Sequence, residues 1–205
     1  MRARLAVKSA DLTVELREIR LKEKPEAFLT ASKSATVPVL VHPNGEAIDE
    51  SLDIMFWALE TGGDPENWLS TWRQDTDSTM QFLAELDGRF KSNLDRYKYA
   101  TRYVNETTEA ADIASHHRQE GVVFLERIND TLKHQPFLNG LHAGLTDFAT
   151  LPFVRQFRIA DSLWFDQQNW PALHIWLQAF LHSERFAAIM HKYTPWQTTD
   201  EPVLF

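Results

Sequence analysis

Residues 36–51 read TVPVLVHPNGEAIDES, and the prediction of the fold starts from this stretch. It begins with a compact apolar run at residues 37–41, turns at Asn44 and Gly45, and continues with a second short run at residues 46–49. An Asn-Gly pair between two such runs favours a tight hairpin, because both residues tolerate the left-handed backbone that the turn requires. We therefore predict two short antiparallel strands here.

The segments on either side of this hairpin differ in the spacing of their apolar residues. Ser51 begins an apolar-periodic helix that Gly62-Gly63 ends, and the alternation of residues 12–16 predicts another half-buried strand. Downstream, apolar residues recur at spacings of three and four, which is typical of amphipathic helices. We therefore predict an α/β domain over residues 1–62 and an all-helical domain over residues 66–205.

The helical segments have predicted bounds. An apolar stripe runs from Leu83 to Tyr97, and further helices are predicted at residues 109–134, 147–160, 171–180 and 184–190. The tail from Tyr193 onward contains two prolines and no periodicity. We expect it to be extended along the surface.

Composition and charge exclude several classes of function. The 205 residues carry 29 acidic and 21 basic side chains, a net charge of −8, which argues against a nucleic-acid partner. No apolar run approaches the ~18 residues of a membrane span, and the amino terminus lacks a secretory signal's apolar core. The chain contains no cysteine, which excludes disulfides, zinc–thiolate sites and a thiol nucleophile from these residues. A cytoplasmic protein fits these observations best.

The hairpin and the following helix start combine groups that could hold a peptide-like ligand. Pro38 cannot donate to a sheet, so Val37 before it is expected to keep its backbone groups free. The Ser51 hydroxyl and the free amides of the helix start suit a carboxylate, while Glu50 suits an ammonium. The alternative is a simple helix N-cap after a hairpin, without a ligand.

These residues resemble the thioredoxin-like half of the cytosolic glutathione S-transferases. There the residue before a cis-proline holds glutathione through its backbone, and a Glu/Asp–Ser pair holds the γ-glutamyl end; the resemblance implies these roles for Val37, Pro38, Glu50 and Ser51. The stretch LKEKPEAF resembles the bacterial omega-like and glutaredoxin-like branch, which implies that Lys24 approaches the glycyl carboxylate.

The helical half resembles the same family. The stretch QPFLNG at residues 135–140 and the stretch TDFA at residues 146–149 resemble the loop and capping-box helix of its second domain. The resemblance implies a structural capping role for Asp147. Gly144 stands where the family usually has Ser or Thr, so one hydrogen bond of the box is expected to be missing.

The start of the chain departs from the family pattern. In relatives, a first strand and a C-P-[YF]-x motif precede the segment that resembles MRARLA at residues 1–6. We therefore expect the first strand and the catalytic residue to lie upstream of Met1, in a longer natural protein. Without that strand, residues 12–16 and 37–41 would pair directly, recruit a segment from elsewhere, or leave the domain disordered.

The implied fold is a thioredoxin-like domain that lacks its first strand, followed by a helical transferase domain. The implied function is glutathione binding, with thiol transfer or conjugation of a small electrophile or mixed disulfide expected only in a full-length form. A non-catalytic binding or stress-adaptor protein is the alternative. The resemblance also implies a homodimer.

A second-substrate pocket could involve aromatic residues of the helices, among them Tyr97, Phe157 and Trp164, although such residues more often form the core. No metal site is expected. The adjacent His116 and His117 would point about 100° apart on a helix.

Overall fold

The computed structural model describes residues 1–104 and 109–205. In chain order its elements are α1 (Arg2–Ser9), α2 (Glu26–Ala31), β1 (Leu40–Val41), β2 (Ala47–Ile48), α3 (Ser51–Thr61), α4 (Ser70–Gln74), α5 (Thr76–Glu85), α6 (Lys91–Lys98), α7 (Ala110–Leu132), α8 (Leu145–Ala160), α9 (Ser162–Asp166), α10 (Pro171–Leu181) and α11 (Glu184–Ile189). A π-helical turn, Leu86–Phe90, joins α5 to α6, and a 3-10 turn, Ala100–Arg102, follows α6.

This architecture confirms the predicted fold class, a small α/β part followed by helices. The starts and ends of α7, α8, α10 and α11 lie within two residues of the predicted bounds. The sequence did not predict α4, α9 or the π-helical turn.

The chain forms two compact units. We call residues 1–67 together with residues 184–205 the amino-terminal unit, and residues 68–183 the helical unit. Residues 184–205 thus group with the amino-terminal unit, whereas the sequence assigned them to the helical domain. No helix within the two described ranges is long and apolar enough to cross a membrane.

The predicted hairpin is present in the amino-terminal unit. Strands β1 and β2 are antiparallel, with Leu40 opposite Ile48, and Gly45 in the turn has a φ of +89°. Each strand has two residues and is therefore shorter than the predicted run. Pro38 limits β1 because it has no N–H to donate.

Helices α1 and α3 form the core of this unit. Leu5 of α1 and Leu59 of α3 are completely buried, and α1 packs against α3. The helices approach so closely at the end of α3 that a Cβ on Gly62 would lie 2.3 Å from the carbonyl oxygen of Ala10. Glycine is therefore required at position 62 for this packing.

The strand predicted at residues 12–16 pairs with the carboxyl-terminal tail. The Val14 N–H donates to the Phe205 carbonyl at 3.1 Å, and the Phe205 N–H donates to the Val14 carbonyl at 2.9 Å. The Leu16 N–H donates to the Val203 carbonyl at 2.7 Å, and Glu15 forms an antiparallel bridge with Leu204. Of the three outcomes predicted for residues 12–16, the structure has the second, in which a segment from elsewhere is recruited. That segment is the tail of the same chain.

Side chains reinforce this pairing. The guanidinium of Arg4 lies 5.3 Å from the ring of Tyr193 and 5.9 Å from the ring of Phe205, and it donates to the Glu18 carboxylate at 2.7 Å. The Trp196 N–H donates to the Glu18 carbonyl at 2.7 Å. Cation–π contacts and hydrogen bonds together hold the extended tail on residues 14–18.

Aromatic side chains fill the core of the helical unit. Phe90 lies 4.5 Å from Phe124 and 5.7 Å from Phe157 between ring centroids, and Phe157 is completely buried. A Cβ on Gly121 would lie 2.4 Å from the Phe157 ring, so α7 and α8 meet at a residue without a side chain.

Asp147, in the first turn of α8, connects three segments of the helical unit. Its carboxylate accepts from the N–H of Gly144 at 3.1 Å, from the N–H of Leu138 at 2.9 Å, and from Nε1 of Trp176 at 2.9 Å. Burial raises the pKa of Asp147, against the opposing effect of these hydrogen bonds. Gly144 has no side chain to return a bond, so the capping box is half formed.

Candidate functional site

The hairpin register brings the predicted ligand-binding residues to one end of the amino-terminal unit. Leu40 lies opposite Ile48 in the antiparallel hairpin. Val37 and Pro38 come just before β1, and Glu50 and Ser51 come just after β2, so both pairs lie at the end of the hairpin away from its turn. The start of α3 therefore lies beside the segment that precedes β1.

Val37 presents an open backbone edge. The Val37–Pro38 peptide is cis, and the Val37 residue is 47% exposed. Within the part of the chain that the structure describes, neither the N–H nor the carbonyl of Val37 has a hydrogen-bond partner. An extended peptide could satisfy both groups at once.

The start of α3 offers an anion site and a carboxylate together. Glu50 is the N-cap residue, it is exposed, and its side chain makes no hydrogen bond to the helix. The N–H groups of the first turn, which begins at Ser51, therefore have no side-chain acceptor of their own. These amides and the Ser51 hydroxyl can bind a carboxylate, while Glu50 can bind an ammonium.

The side chain of Lys24, which precedes α2, reaches the segment that leads to Val37. Its Nζ donates to the carbonyl of Ala35 at 2.9 Å, two residues before Val37. An ammonium has three donors, so two remain for a ligand carboxylate. The structure thus associates all five predicted residues, including Lys24, with the end of the hairpin at which α3 begins.

Asp49 is a residue of this region that the sequence did not single out. Its carboxylate accepts from the Ser32 hydroxyl at 2.6 Å and from the Lys33 N–H at 3.1 Å. The hydrogen bond from Ser32 is the main cause that lowers the pKa of Asp49. Asp49 therefore joins the turn after α2 to the residue that precedes Glu50, and no local pattern signals a contact between residues so far apart in sequence.

The predicted second-substrate residues also cluster, within the helical unit. The Tyr97 and Phe157 ring centroids are 4.8 Å apart, those of Phe157 and Trp164 are 6.4 Å apart, and the Arg118 guanidinium lies 4.5 Å from the Trp164 ring. Phe157 is completely buried and Tyr97 is 8% exposed, and burial raises the pKa of Tyr97. These two side chains act as core in the described structure, and Trp164 alone is half-buried.

Among the described residues, no group of three or more His, Asp or Glu side chains is arranged to hold a metal ion.

Comparisons with known proteins give one family match in sequence. Residues 1–66 match the family model described as "Glutathione S-transferase, N-terminal domain". No curated protein matches the chain in sequence.

Solved structures resemble the whole chain. A glutathione transferase family member from Pseudomonas fluorescens with two glutathione bound has a TM-score of 0.76 at 16% identity, over 91% of this chain and 86% of that one. A glutathione S-transferase of class Gtt2 from Vibrio parahaemolyticus has a TM-score of 0.75 at 15% identity, over 90% and 89%. A Tau class enzyme from mango has a TM-score of 0.69 at 23% identity, over 93% and 87%. These structural similarities show that this chain has the same fold as the three proteins.

Proposed function

This chain has the fold of the cytosolic glutathione S-transferase superfamily, and we propose that it binds glutathione at the end of the β1–β2 hairpin. The observation that carries the proposal is the unpaired backbone of Val37 at the same end of the hairpin as the start of α3 at Ser51. The resemblance to the family and the glutathione bound to the Pseudomonas fluorescens relative support the choice of ligand.

Each part of glutathione has a partner in this proposal. The cysteinyl backbone pairs with the N–H and carbonyl of Val37. The γ-glutamyl carboxylate is bound by the Ser51 hydroxyl and the first-turn amides of α3, where the helix dipole favours negative charge. Glu50 binds the γ-glutamyl ammonium, and the free donors of Lys24 bind the glycyl carboxylate.

The chemistry of these residues limits what the chain contributes to a reaction. Because the 205 residues contain no cysteine, they supply no thiol for a mixed disulfide, and the nucleophile in a conjugation has to be the thiol of glutathione itself. We propose that these residues bind glutathione weakly and catalyse little conjugation or thiol transfer. The wider proposal is a cytoplasmic homodimer of the omega-like type, whose second substrate is a small electrophile or a mixed disulfide.

Calorimetry with two ligands tests the binding mode. S-Methylglutathione carries a free γ-glutamyl ammonium, whereas N-acetyl-S-methylglutathione does not. We expect Glu50→Gln to lower the affinity for S-methylglutathione about tenfold, because one hydrogen bond to a charged group is lost. N-Acetylation of the ligand should lower its affinity for the wild type about tenfold. It should hardly change the affinity for Glu50→Gln, because that variant has already lost the same contact.

Glu46→Gln is the matched control, since Glu46 is exposed and bonds Asn44 within the hairpin turn. An equal loss of affinity for S-methylglutathione in Glu46→Gln and Glu50→Gln would contradict the proposed site. Binding of a protein partner without any effect of glutathione would favour the alternative of a non-catalytic adaptor.

A further inference from the structure

The loop between α2 and β1, residues 32–39, carries the open backbone of Val37 in a conformation that is locally disfavoured. Ala35 in this loop has a φ of +52°, in the left-handed region that residues with a Cβ rarely adopt. Its N–H donates to the Ser32 carbonyl at 3.3 Å, and its carbonyl accepts from Nζ of Lys24 at 2.9 Å. A residue keeps such a conformation only where the surrounding contacts hold it.

Asp49 holds the start of this loop from the other strand of the hairpin. Its Oδ1 accepts from the Ser32 hydroxyl at 2.6 Å, and its Oδ2 accepts from the Lys33 N–H at 3.1 Å. Ser32 is 2% exposed, so this hydrogen bond lies at a buried position. Because Asp49 directly follows β2 and precedes Glu50, one carboxylate joins the loop to the segment that leads into α3.

A row of hydroxyl groups continues this contact along the loop. Oγ of Ser34 lies 3.3 Å from Oγ of Ser32 and 2.6 Å from Oγ1 of Thr36. The hydrogen bond from Ser32 lowers the pKa of Asp49, so its carboxylate is ionised near neutral pH and only accepts. Ser32 gives its single hydroxyl proton to this carboxylate, so Ser34 donates to Ser32 and Thr36 donates to Ser34. The row thus runs in one direction, from the residue before Val37 to Asp49.

From this arrangement we infer that Asp49 is a positioning residue of the proposed glutathione site. It acts through the hydroxyls of Ser32, Ser34 and Thr36, which hold the loop so that the N–H and carbonyl of Val37 stay open to the cysteinyl part of the ligand. Asp49 itself does not touch the ligand. This inference rests on the proposed function and adds to it a residue that acts on the site through the loop.

Calorimetry of the full chain with S-methylglutathione tests the inference. We expect Asp49→Ala and Ser32→Ala each to lower the affinity about tenfold, because either change releases the loop. The double variant should also lose about tenfold rather than a hundredfold, since both changes remove the same contact. Glu46→Ala is the matched control and should bind as the wild type does, because Glu46 is an exposed acidic residue of the same hairpin that bonds Asn44 within the turn.

A second ligand separates positioning of the loop from damage to the γ-glutamyl end of the site. N-Acetylation of S-methylglutathione should lower the affinity about tenfold in Asp49→Ala, as in the wild type, because Glu50 is still in place. If N-acetylation has no effect in Asp49→Ala, the substitution acts on Glu50 instead of the loop, and the inference is overturned.

Hydrogen exchange gives a readout that does not depend on any ligand. The Lys33 N–H donates to Asp49 itself, and the Thr36 N–H donates to Oγ of Ser34 at 3.3 Å. Asp49→Ala should therefore speed exchange at both amides about tenfold or more, while the amide of Leu29 within α2 should keep its rate. Unchanged exchange at Lys33 would overturn the inference.

The outcomes distinguish this inference from the proposed function. If the wild type does not bind S-methylglutathione, the proposed function fails and the inference falls with it. If the wild type binds and Asp49→Ala binds equally well, only the inference is overturned. If Asp49→Ala does not fold, Thr36→Val decides, because it removes the last hydroxyl of the row at an exposed position. It should lower the affinity about fivefold, and an unchanged affinity would overturn the inference.

Discussion

The surroundings of His117 on α7 favour its neutral form in the folded protein. Its Nδ1 lies 2.7 Å from the Oδ1 of Asn93, which is 8% exposed. Because an amide oxygen only accepts, Nδ1 is the donor in this pair. Burial, followed by the charges of His116 and Arg96, lowers the pKa of His117 from its usual 6.5.

This lowered pKa predicts a pH dependence of stability. Because the pKa of His117 is lower in the folded state, the unfolded chain binds the proton at a higher pH than the folded chain does. The contribution of His117 to the free energy of unfolding is therefore complete above about pH 6.5 and is lost as the pH falls toward the folded pKa. In urea unfolding, the free energy of unfolding should fall less between about pH 7.5 and about pH 5 in His117→Gln than in the wild type.

His134→Gln is the control, since His134 is exposed and is not among the groups that shift the pKa of His117. It should lose as much stability with acid as the wild type does. If His117→Gln also keeps the full pH dependence, the pKa of His117 is not lowered in the folded protein.

At the scale of elements, the carboxyl-terminal tail acts as the partner strand of residues 14–16. Val14 and Leu16 direct their N–H groups to the tail, whereas the amides of Thr13 and Glu15 have no partner in it. Along this stretch, Val14 and Leu16 are half-buried and their neighbours are exposed, so the side chains alternate as in a strand with one covered face.

Deletion of Val203–Phe205 should weaken the amino-terminal unit specifically at this pairing. Three backbone hydrogen bonds are lost, worth about 1 kcal/mol each, so we expect the free energy of unfolding to fall by about 2–3 kcal/mol. Hydrogen exchange at the Val14 and Leu16 amides should become at least tenfold faster, while exchange at Thr13 and Glu15 should change little.

Leu204→Ser is the matched substitution, because Leu204 is 68% exposed and its side chain can change without removing the three hydrogen bonds. Unchanged exchange at Val14 after the deletion would show that the tail does not act as a strand partner in solution.

At the scale of the whole molecule, the amino-terminal unit is assembled from both ends of the chain, whereas the helical unit is one continuous segment. Helix α1 contacts α11, and Arg185 donates to Glu66 at 2.6 Å within the amino-terminal unit. The first 67 residues therefore depend on contacts with residues that the chain supplies last.

Deletion of Glu184–Phe205 should therefore affect the two units unequally. We expect segments from residues 2–61 to lose protection against hydrogen exchange by tenfold or more, because the partners of α1 and of residues 14–18 are removed. Segments within α7 and α8 should keep their protection, since their aromatic core lies in residues 68–183. Equal loss in both units, or no loss in either, would contradict this division.

Features that depend on neighbouring residues can be predicted from the sequence. The Asn44-Gly45 turn, the start of α3 at Ser51 and its end before Gly62 follow from local backbone preferences. The periodic helices follow from side chains spaced three and four apart, and the half-formed capping box at Asp147 follows from Gly144.

Contacts between distant segments become visible only in the folded chain. Residues 14–16 pair with residues 203–205, Asp49 accepts from Ser32, and Asp147 accepts from Trp176. These contacts follow from how helices and strands pack once formed, and no local spacing encodes the position of a side chain on a remote element. Local hydrogen bonding and periodicity therefore specify the elements, while packing specifies the sites that they create.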